Sequence, residues 1–561
     1  MIVKPSRLFA LALPLAMVLA AGSAPYEDRW FYCSRRIDSA GDLEYLTNLV
    51  ARAANAHFNG IVFSGGLDTC WRWREEKKAR FARFRRFCEE RGVEIVPLIW
   101  PAGYGTMTDV DPGLVESKPL KGVFYVRKGD RLVFEKSGAV LGNPDFEDGD
   151  DSKNSFSSWR IDAPGSIGYV DRTEFHAGSR SVRIETAPGK DMNGHARIHQ
   201  KLVLKPNRRY RFSLWYKVRS GDTLPVESLK LQVYNKEASP SGSASVGRIL
   251  RTDETGKWKK VTLSFATGSS GVATVWMGCW SKSANGVFWF DDAHLEELEL
   301  DEVAVRAGTP FEVRDARTGA VYAEGRDYLA PVRSHNGIYV GIPAGSSIPE
   351  GSCVEIDTYV WSRSGVKSQI STCMSDPELY RLFRRSAEGI AAACNPRKWF
   401  LSMDEIRNGG TCPLCEARKT DMAHIVAECV LKQHEIIRSV RPDAKVYAWS
   451  DMFDPWHNAK AQVAGCKGSF IGIWDLIPRD MTLVCWHFRI RETDLPFFAK
   501  LGFGIVAGAY YDQQTIRRDE LWVETLNRTK GATGILYTTW AARYDQLENF
   551  GNMVWEKGRM R

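Results

Sequence analysis

The stretch Lys398-Trp399-Phe400-Leu401-Ser402-Met403-Asp404-Glu405-Ile406 decides how the chain is read. Trp399 to Met403 has the length and apolar character of one buried strand, and it stops on two adjacent carboxylates, Asp404 and Glu405. Asn408, Gly409 and Gly410 follow, so the chain turns at once. Neighbouring residues on a strand point to opposite faces, so adjacent acids share one site only where the backbone curls away at the strand end. Parallel barrels gather such polar strand ends on their C-terminal rim. Taken alone, the stretch is equally an acidic, solvated strand end.

Working outward, helices and strands alternate at one spacing. Asp376-Pro-Glu378, preceded by Ser375, reads as a capping box with Ser375 as the cap, opening a helix to about Cys394 just before the acid strand. After it come a helix from about Asp421 to Val440 and strands at Lys445–Trp449, Met481–Trp486, Phe503–Tyr510 and Gly534–Trp540. Near the N-terminus, strands at Arg29–Cys33, Asn59–Phe63 and Val93–Trp100 are separated by two amphipathic helices. Ser39 caps the first; the second turns Phe81, Phe84, Phe87 and Cys88 inward and Arg80, Arg83, Arg85 and Arg86 outward. Three strands and five give eight, the count of an α/β (β/α)8 TIM barrel, built from residues 25–110 and 371–561.

Between the third and fourth strands the pattern breaks, and residues 111 to about 370 become all-β. Alternating runs such as Tyr210–Tyr216 and Ala273–Met277 are split by Gly, Ser, Asn and Pro turns, which predicts a two-sheet β-sandwich at 141–297. The flanks, 111–140 and 298–370, are predicted to form a small β-rich domain. The insertion therefore enters through a βα loop, on the same face as the acid pair.

The 561 residues are 44% hydrophobic and 11% aromatic, with 19 Trp, so a large core is easily built. A net charge of +8 spread over this length gives no argument for nucleic acid. Residues 1–24 read as a signal peptide: Lys4 and Arg7, then apolar Leu8–Ala20, then small residues to Ala24. No later stretch is apolar enough to span a membrane, so an exported, secreted or periplasmic protein is expected. Most of the 12 cysteines read as core residues. Cys412-Pro-Leu-Cys415, with His424 and Cys429 downstream, admits a disulfide or a zinc clip, but no complete zinc ligand set is visible and no metal is assigned.

Two resemblances refine this. "NPDFEDG" at 143–149, "HAGSRSVRIE" at 176–185, "VLKPNRRYRFSLWYKV" at 203–218 and "FWFDDAHLEE" at 288–297 resemble jelly-roll carbohydrate-binding modules. That resemblance implies a saccharide ligand, with Trp159, Trp215, Trp276 and Trp280 as candidates for stacking on it. It also implies room for a structural calcium, for which Asp291 and Asp292 are the candidates. No other cofactor is expected.

The later strand ends collect acids and aromatic rings: Asp404 and Glu405, Trp449 and Asp451, Trp486 and His487, Tyr510, Tyr511 and Asp512, Trp540, and Trp474 in the connection before the sixth strand. Carboxylates floored by aromatic faces suit a sugar. The set resembles the family-twenty glycoside hydrolases, the exo-β-N-acetylhexosaminidases, in Asp404-Glu405, Trp449, Tyr510-x-Asp512 and Trp540. "CSRRI", with Arg35, and "GGLDTCWR", with Asp68, resemble that family's sugar-binding segments. Ser64-Gly-Gly66 stands where the family has a His, and Ala542 where it has an acid.

The resemblance implies substrate-assisted chemistry. Glu405 would be the general acid, a role served by partial burial and the neighbouring charge of Asp404. Asp404 would orient the 2-acetamido group and Tyr510 would donate to its oxygen. Trp449, Trp486 and Trp540 would enclose it, with Arg35, Asp68, Asp451, Trp474 and Asp512 as further substrate contacts. Two alternatives stand beside this: a two-carboxylate retaining hydrolase with Asp451 or Asp512 as nucleophile, and a glycan-binding protein without activity.

Overall fold

The computed structural model describes residues 26–558 apart from 137, 163–166, 187–195, 223, 225–227, 236–245, 281–285, 335–336 and 364–368. The signal-peptide expectation for 1–24 falls outside the described residues. Among the described residues no helix is long and apolar enough to cross a membrane.

Eight parallel strands close into a barrel in chain order. They are β1 (Asp28–Cys33), β2 (Gly60–Phe63), β3 (Glu94–Ile99), β4 (Lys398–Leu401), β5 (Lys445–Trp449), β6 (Thr482–Cys485), β7 (Gly504–Tyr510) and β8 (Ala532–Thr538). Phe400 and Leu401 of β4 lie beside Leu98 and Ile99 of β3, so the acid strand joins the barrel directly despite nearly three hundred intervening residues. Asp28 opposite Gly534 closes the ring. These strands read as unbroken apolar runs because both faces are covered.

One face meets the barrel axis, where Trp30, Tyr32, Val62, Phe400, Tyr447, Trp449 and Val506 fill the interior. The other meets the helices α1 (Ala40–Asn55), α2 (Glu75–Glu90), α3 (Pro377–Cys394), α4 (Met422–Val440), α5 (Arg491–Lys500), α6 (Arg517–Arg528) and α7 (Leu547–Lys557). At the barrel floor Lys398 Nζ lies 2.6 Å from buried Asp28, which also accepts from Tyr447 at 2.9 Å. A charge buried there is tolerable because it is paired and hydrogen-bonded.

Ser39 caps α1 in a full capping box with Asp42. The cap of α3 differs from expectation. Asp376, not Ser375, accepts the Glu378 N–H, at 2.9 Å, with Pro377 in the first turn. Proline favours the first helical position, which makes the residue before it the cap. Ser375 Oγ lies instead 3.2 Å from Cys415 Sγ.

In chain order between β3 and β4 lie antiparallel sheets. One has four strands, including Ser117–Lys128 and Cys353–Trp361, the first and last long strands of this region. Two five-stranded sheets share one core that includes Ile198, Phe212, Leu214, Met277 and Phe290. The expected strand alternation is seen in Ala196–Val203, where buried and partly exposed residues alternate.

Candidate active site

The acid pair sits where β4 ends, and its backbone explains how adjacent carboxylates reach one rim. Glu405 has φ +49°, in the left-handed region that a residue with a Cβ adopts only when held there. The holder is Asp451, whose Oδ2 accepts the Glu405 N–H at 2.9 Å and the Asn458 amide at 2.9 Å. Its Oδ1 lies 3.4 Å from Trp486 Nε1. Asp404 Oδ1 accepts from Ser402 Oγ at 2.8 Å. The Glu405 carboxylate accepts from the Tyr104 hydroxyl, from Gln369 Nε2 at 3.0 Å and from Arg407 Nη2 at 3.4 Å.

Tyr104 belongs to the short 3-10 turn Ala102–Tyr104 after β3, which lies against the acid pair. A Cβ on Gly103 would lie 2.3 Å from the Asp404 carbonyl oxygen and 2.7 Å from that of Glu405, so only glycine admits this approach. Gln369 lies on the strand of chain that returns from the all-β region to α3.

Burial dominates the electrostatics. It pushes the Asp404 carboxyl up to about 7, helped by the charge of Asp451 and opposed by the Ser402 hydrogen bond. Asp451 is raised to about 6, chiefly by burial, against the stabilising donors Glu405 N–H, Asn458 and Trp486. The Tyr104 hydroxyl is raised by burial and by its bond to Glu405, with both carboxylates adding. Tyr511 is raised by burial and then by Glu405, Asp512 and Asp404. Tyr104 thus reaches Glu405 directly, while Tyr511 lies near enough to feel the charges of both acids.

An aromatic wall completes the rim. Trp449 is buried in the barrel interior, 4.7 Å from Phe400 and 6.0 Å from Trp540 in ring centroids. Trp540 is about half exposed and also contacts Tyr32 at 5.0 Å. Trp486 and Tyr511 are parallel at 6.1 Å, and His457 lies edge-on to Trp486 at 4.6 Å. Gly508 on β7 makes room for both tryptophans: a Cβ there would come within 3.1 Å of the Trp486 Cβ and 3.2 Å of the Trp449 indole.

The other expected residues fall elsewhere. Tyr510 is fully buried, stacked on Tyr537 at 4.1 Å, with its hydroxyl 3.5 Å from Asp545; Tyr511 takes the rim position. The cause is three successive left-handed residues, Tyr510, Tyr511 and Asp512, which end strand alternation one step early. Asp512 accepts the N–H groups of Trp540 at 2.8 Å and Ala541 at 3.1 Å, so it shapes the loop that carries Trp540.

Trp474 packs edge-on to Phe497 of α5, in the layer between barrel and helices. Arg35 pairs with Asp42 at 2.8 Å and lies over Tyr45, drawn toward α1. Asp68 accepts the N–H of Trp100, another left-handed residue, at 3.0 Å, and burial raises it to about 7. Tyr104, Gln369, Arg407 and His457 were not expected at the site; Tyr104 follows β3 and Gln369 precedes α3, on either side of the all-β region, which no spacing rule connects to Glu405.

The sandwich carries a second candidate surface. His199 and Gln232 flank Trp276 on neighbouring strands. His199 stacks on Trp276 at 4.0 Å, and the Arg197 guanidinium lies 4.5 Å from the same ring and 5.2 Å from Trp280. Tyr234 stands at 6.1 Å from Trp276 and donates to Gln232 at 3.0 Å. Trp215 stacks on His176 at 4.0 Å, whereas Trp159 is buried in the core. Asp291 accepts the His176 N–H at 2.7 Å and Asp292 lies 2.5 Å from the His176 ring, so the two expected calcium ligands are engaged by the protein itself.

Residues 138–285 match the family described as carbohydrate binding domain. The earlier resemblance of 141–297 to such modules thus has an independent match over most of its length. No curated protein matches the sequence. Among solved structures, the CBM22-1 xylan-binding domain from Paenibacillus barcinonensis aligns at 14% identity over 27% of this chain and 90% of its own, with a TM-score of 0.21. A rhamnosidase from Novosphingobium sp. PP1Y aligns at 9% identity over 95% of this chain and 59% of its own, with a TM-score of 0.36. An arabinose-bound MgGH51 α-L-arabinofuranosidase aligns at 9% over 71% of each, with a TM-score of 0.24. These scores are low, and the barrel rests on this chain's own strand order.

Proposed function

We propose that the chain is a glycoside hydrolase that releases terminal β-linked N-acetylhexosamine by a substrate-assisted, retaining mechanism. The observation that carries this reading is the left-handed Glu405: held by Asp451, it sets its carboxylate against Tyr104, next to Asp404 and an indole-lined rim. Glu405 gives its proton to the glycosidic oxygen as the C–O bond breaks. The substrate's acetamido oxygen attacks the anomeric carbon, oriented through its N–H by Asp404 and hydrogen-bonded by Tyr511. Trp449, Trp486 and Trp540 enclose the acetamido methyl. Glu405, now a carboxylate, takes a proton from the water that opens the cyclic intermediate.

The engagement of the other carboxylates favours this over a protein nucleophile. Asp451 is held by three donors and Asp512 by the loop it shapes. The sandwich would hold a larger glycan through the Trp276 face. The anomeric configuration of the first product, followed by NMR, tests the mechanism. Retention together with strong competition by a thiazoline mimic of the cyclic intermediate is expected. Inversion, or indifference to the thiazoline, would contradict it.

A further inference from the structure

We infer that Glu116, Cys373, Cys412 and Cys415 form a structural zinc site that ties the base of the all-β region to the acid loop. The four side chains are buried, and one donor atom from each lies within 4.8 Å of all the others. Cys373 Sγ is 3.3 Å from Cys412 Sγ and 3.8 Å from Cys415 Sγ, and Cys415 Sγ is 3.1 Å from a Glu116 oxygen. Tetrahedral zinc with bonds of about 2.3 Å to sulfur sets its thiolates roughly 3.8 Å apart, so little movement is needed.

The surroundings fit a metal. Three sulfurs and one carboxylate complete a tetrahedral set, whereas one disulfide would leave a buried thiol and a buried acid. The Glu116 carboxylate accepts the N–H groups of Gly410 at 3.1 Å, Thr411 at 2.8 Å and Cys412 at 2.8 Å, an outer layer that fixes its orientation. Arg306 Nη2 lies 3.3 Å from Cys412 Sγ. Its positive charge and that of the ion offset all but one of the four negative charges of three thiolates and a carboxylate. Binding would release the thiol protons.

The ligands come from three places. Glu116 lies where the chain leaves the barrel, Cys373 where it returns, and Cys412-x-x-Cys415 in the loop after Glu405. The returning segment also carries Gln369, which donates to Glu405. The ion would thus fix Gln369 and the acid loop together, holding the proposed acid in place from outside the site. Cys429, named from sequence as a downstream candidate, is not part of the set; it lies on α4 against Tyr380.

The test is metal content of the full chain purified under reducing conditions, followed by cobalt substitution. About one zinc per chain is expected, with a thiolate-to-cobalt charge-transfer band after exchange. Cys415→Ser and Glu116→Gln should each lower bound zinc several-fold, while Cys429→Ser leaves it unchanged. The wild-type cobalt spectrum stands even if a variant fails to fold. Absence of both zinc and the cobalt band would overturn the inference. So would a mapped disulfide among Cys373, Cys412 and Cys415, or zinc that persists in folded Cys415→Ser.

Discussion

Asp451 Oδ2 accepts the backbone N–H of Glu405 at 2.9 Å, and that bond holds Glu405 at φ +49°. Without it the acid pair would relax toward ordinary strand geometry and the two carboxylates would part. Asp451→Ala is therefore expected to lower kcat/KM on the order of 100-fold, the effect of misplacing a reacting group by about 1 Å. Circular dichroism should show the fold intact.

Asp451→Asn keeps an acceptor oxygen for Glu405 and removes a charge. The Asp404 carboxyl, raised to about 7 by burial and partly by that charge, should then titrate lower. Since an ionised Asp404 orients the acetamido group, activity in the wild type should rise with pH through about 7. In Asp451→Asn that rise should move to lower pH. A pH profile of kcat/KM for both proteins checks the sign.

The two neighbouring tyrosines are separable. Tyr511→Phe removes the hydroxyl proposed to donate to the acetamido oxygen, and should cost about 100-fold in kcat, as loss of one oxyanion-type donor does. Tyr510→Phe removes only a buried hydroxyl near Asp545 and should leave kcat within a few-fold of wild type. Steady-state kinetics of the pair decide which tyrosine serves the site.

Gly103→Ala places a Cβ against two backbone oxygens that cannot move aside cheaply. Overpacking of this kind costs about 1–3 kcal/mol. Denaturant melts should show that loss, accompanied by a fall in activity, because the displaced atoms are those of Asp404 and Glu405.

Behind the rim, Asp494 and Asp454 form a buried acid pair, with Asp494 raised to about 8 by burial and by Asp454. A carboxyl raised in the folded state binds more protons there than unfolded, so stability falls as pH rises from about 4 to about 8. Asp494→Asn should flatten that decline. Thermal melts at pH 5 and pH 8 should differ by several degrees less in the variant.

The barrel was legible in the sequence because its strands are buried on both faces and separated by amphipathic helices. The acid pair was legible because charge at the end of an apolar run is conspicuous. What escaped detection shares one cause, backbone or chain connectivity that periodicity does not encode. Three left-handed residues at 510–512 exchange Tyr510 for Tyr511 at the rim. Asp512 reads as a substrate acid but holds the loop of Trp540, and Trp474 reads as a rim indole but packs on Phe497. Glu116 and Cys373 are invisible beside Cys412-x-x-Cys415 because the whole of the antiparallel sheet region lies between them in the chain.

The most direct test is hydrolysis of aryl β-glycosides of N-acetylglucosamine, N-acetylgalactosamine, glucose and galactose by wild type, Asp404→Asn and Glu405→Gln. Release from the N-acetyl sugars alone, lost or strongly reduced in both variants, is expected. Release from glucose or galactose at comparable rates, or activity that survives Glu405→Gln, would contradict the proposed mechanism.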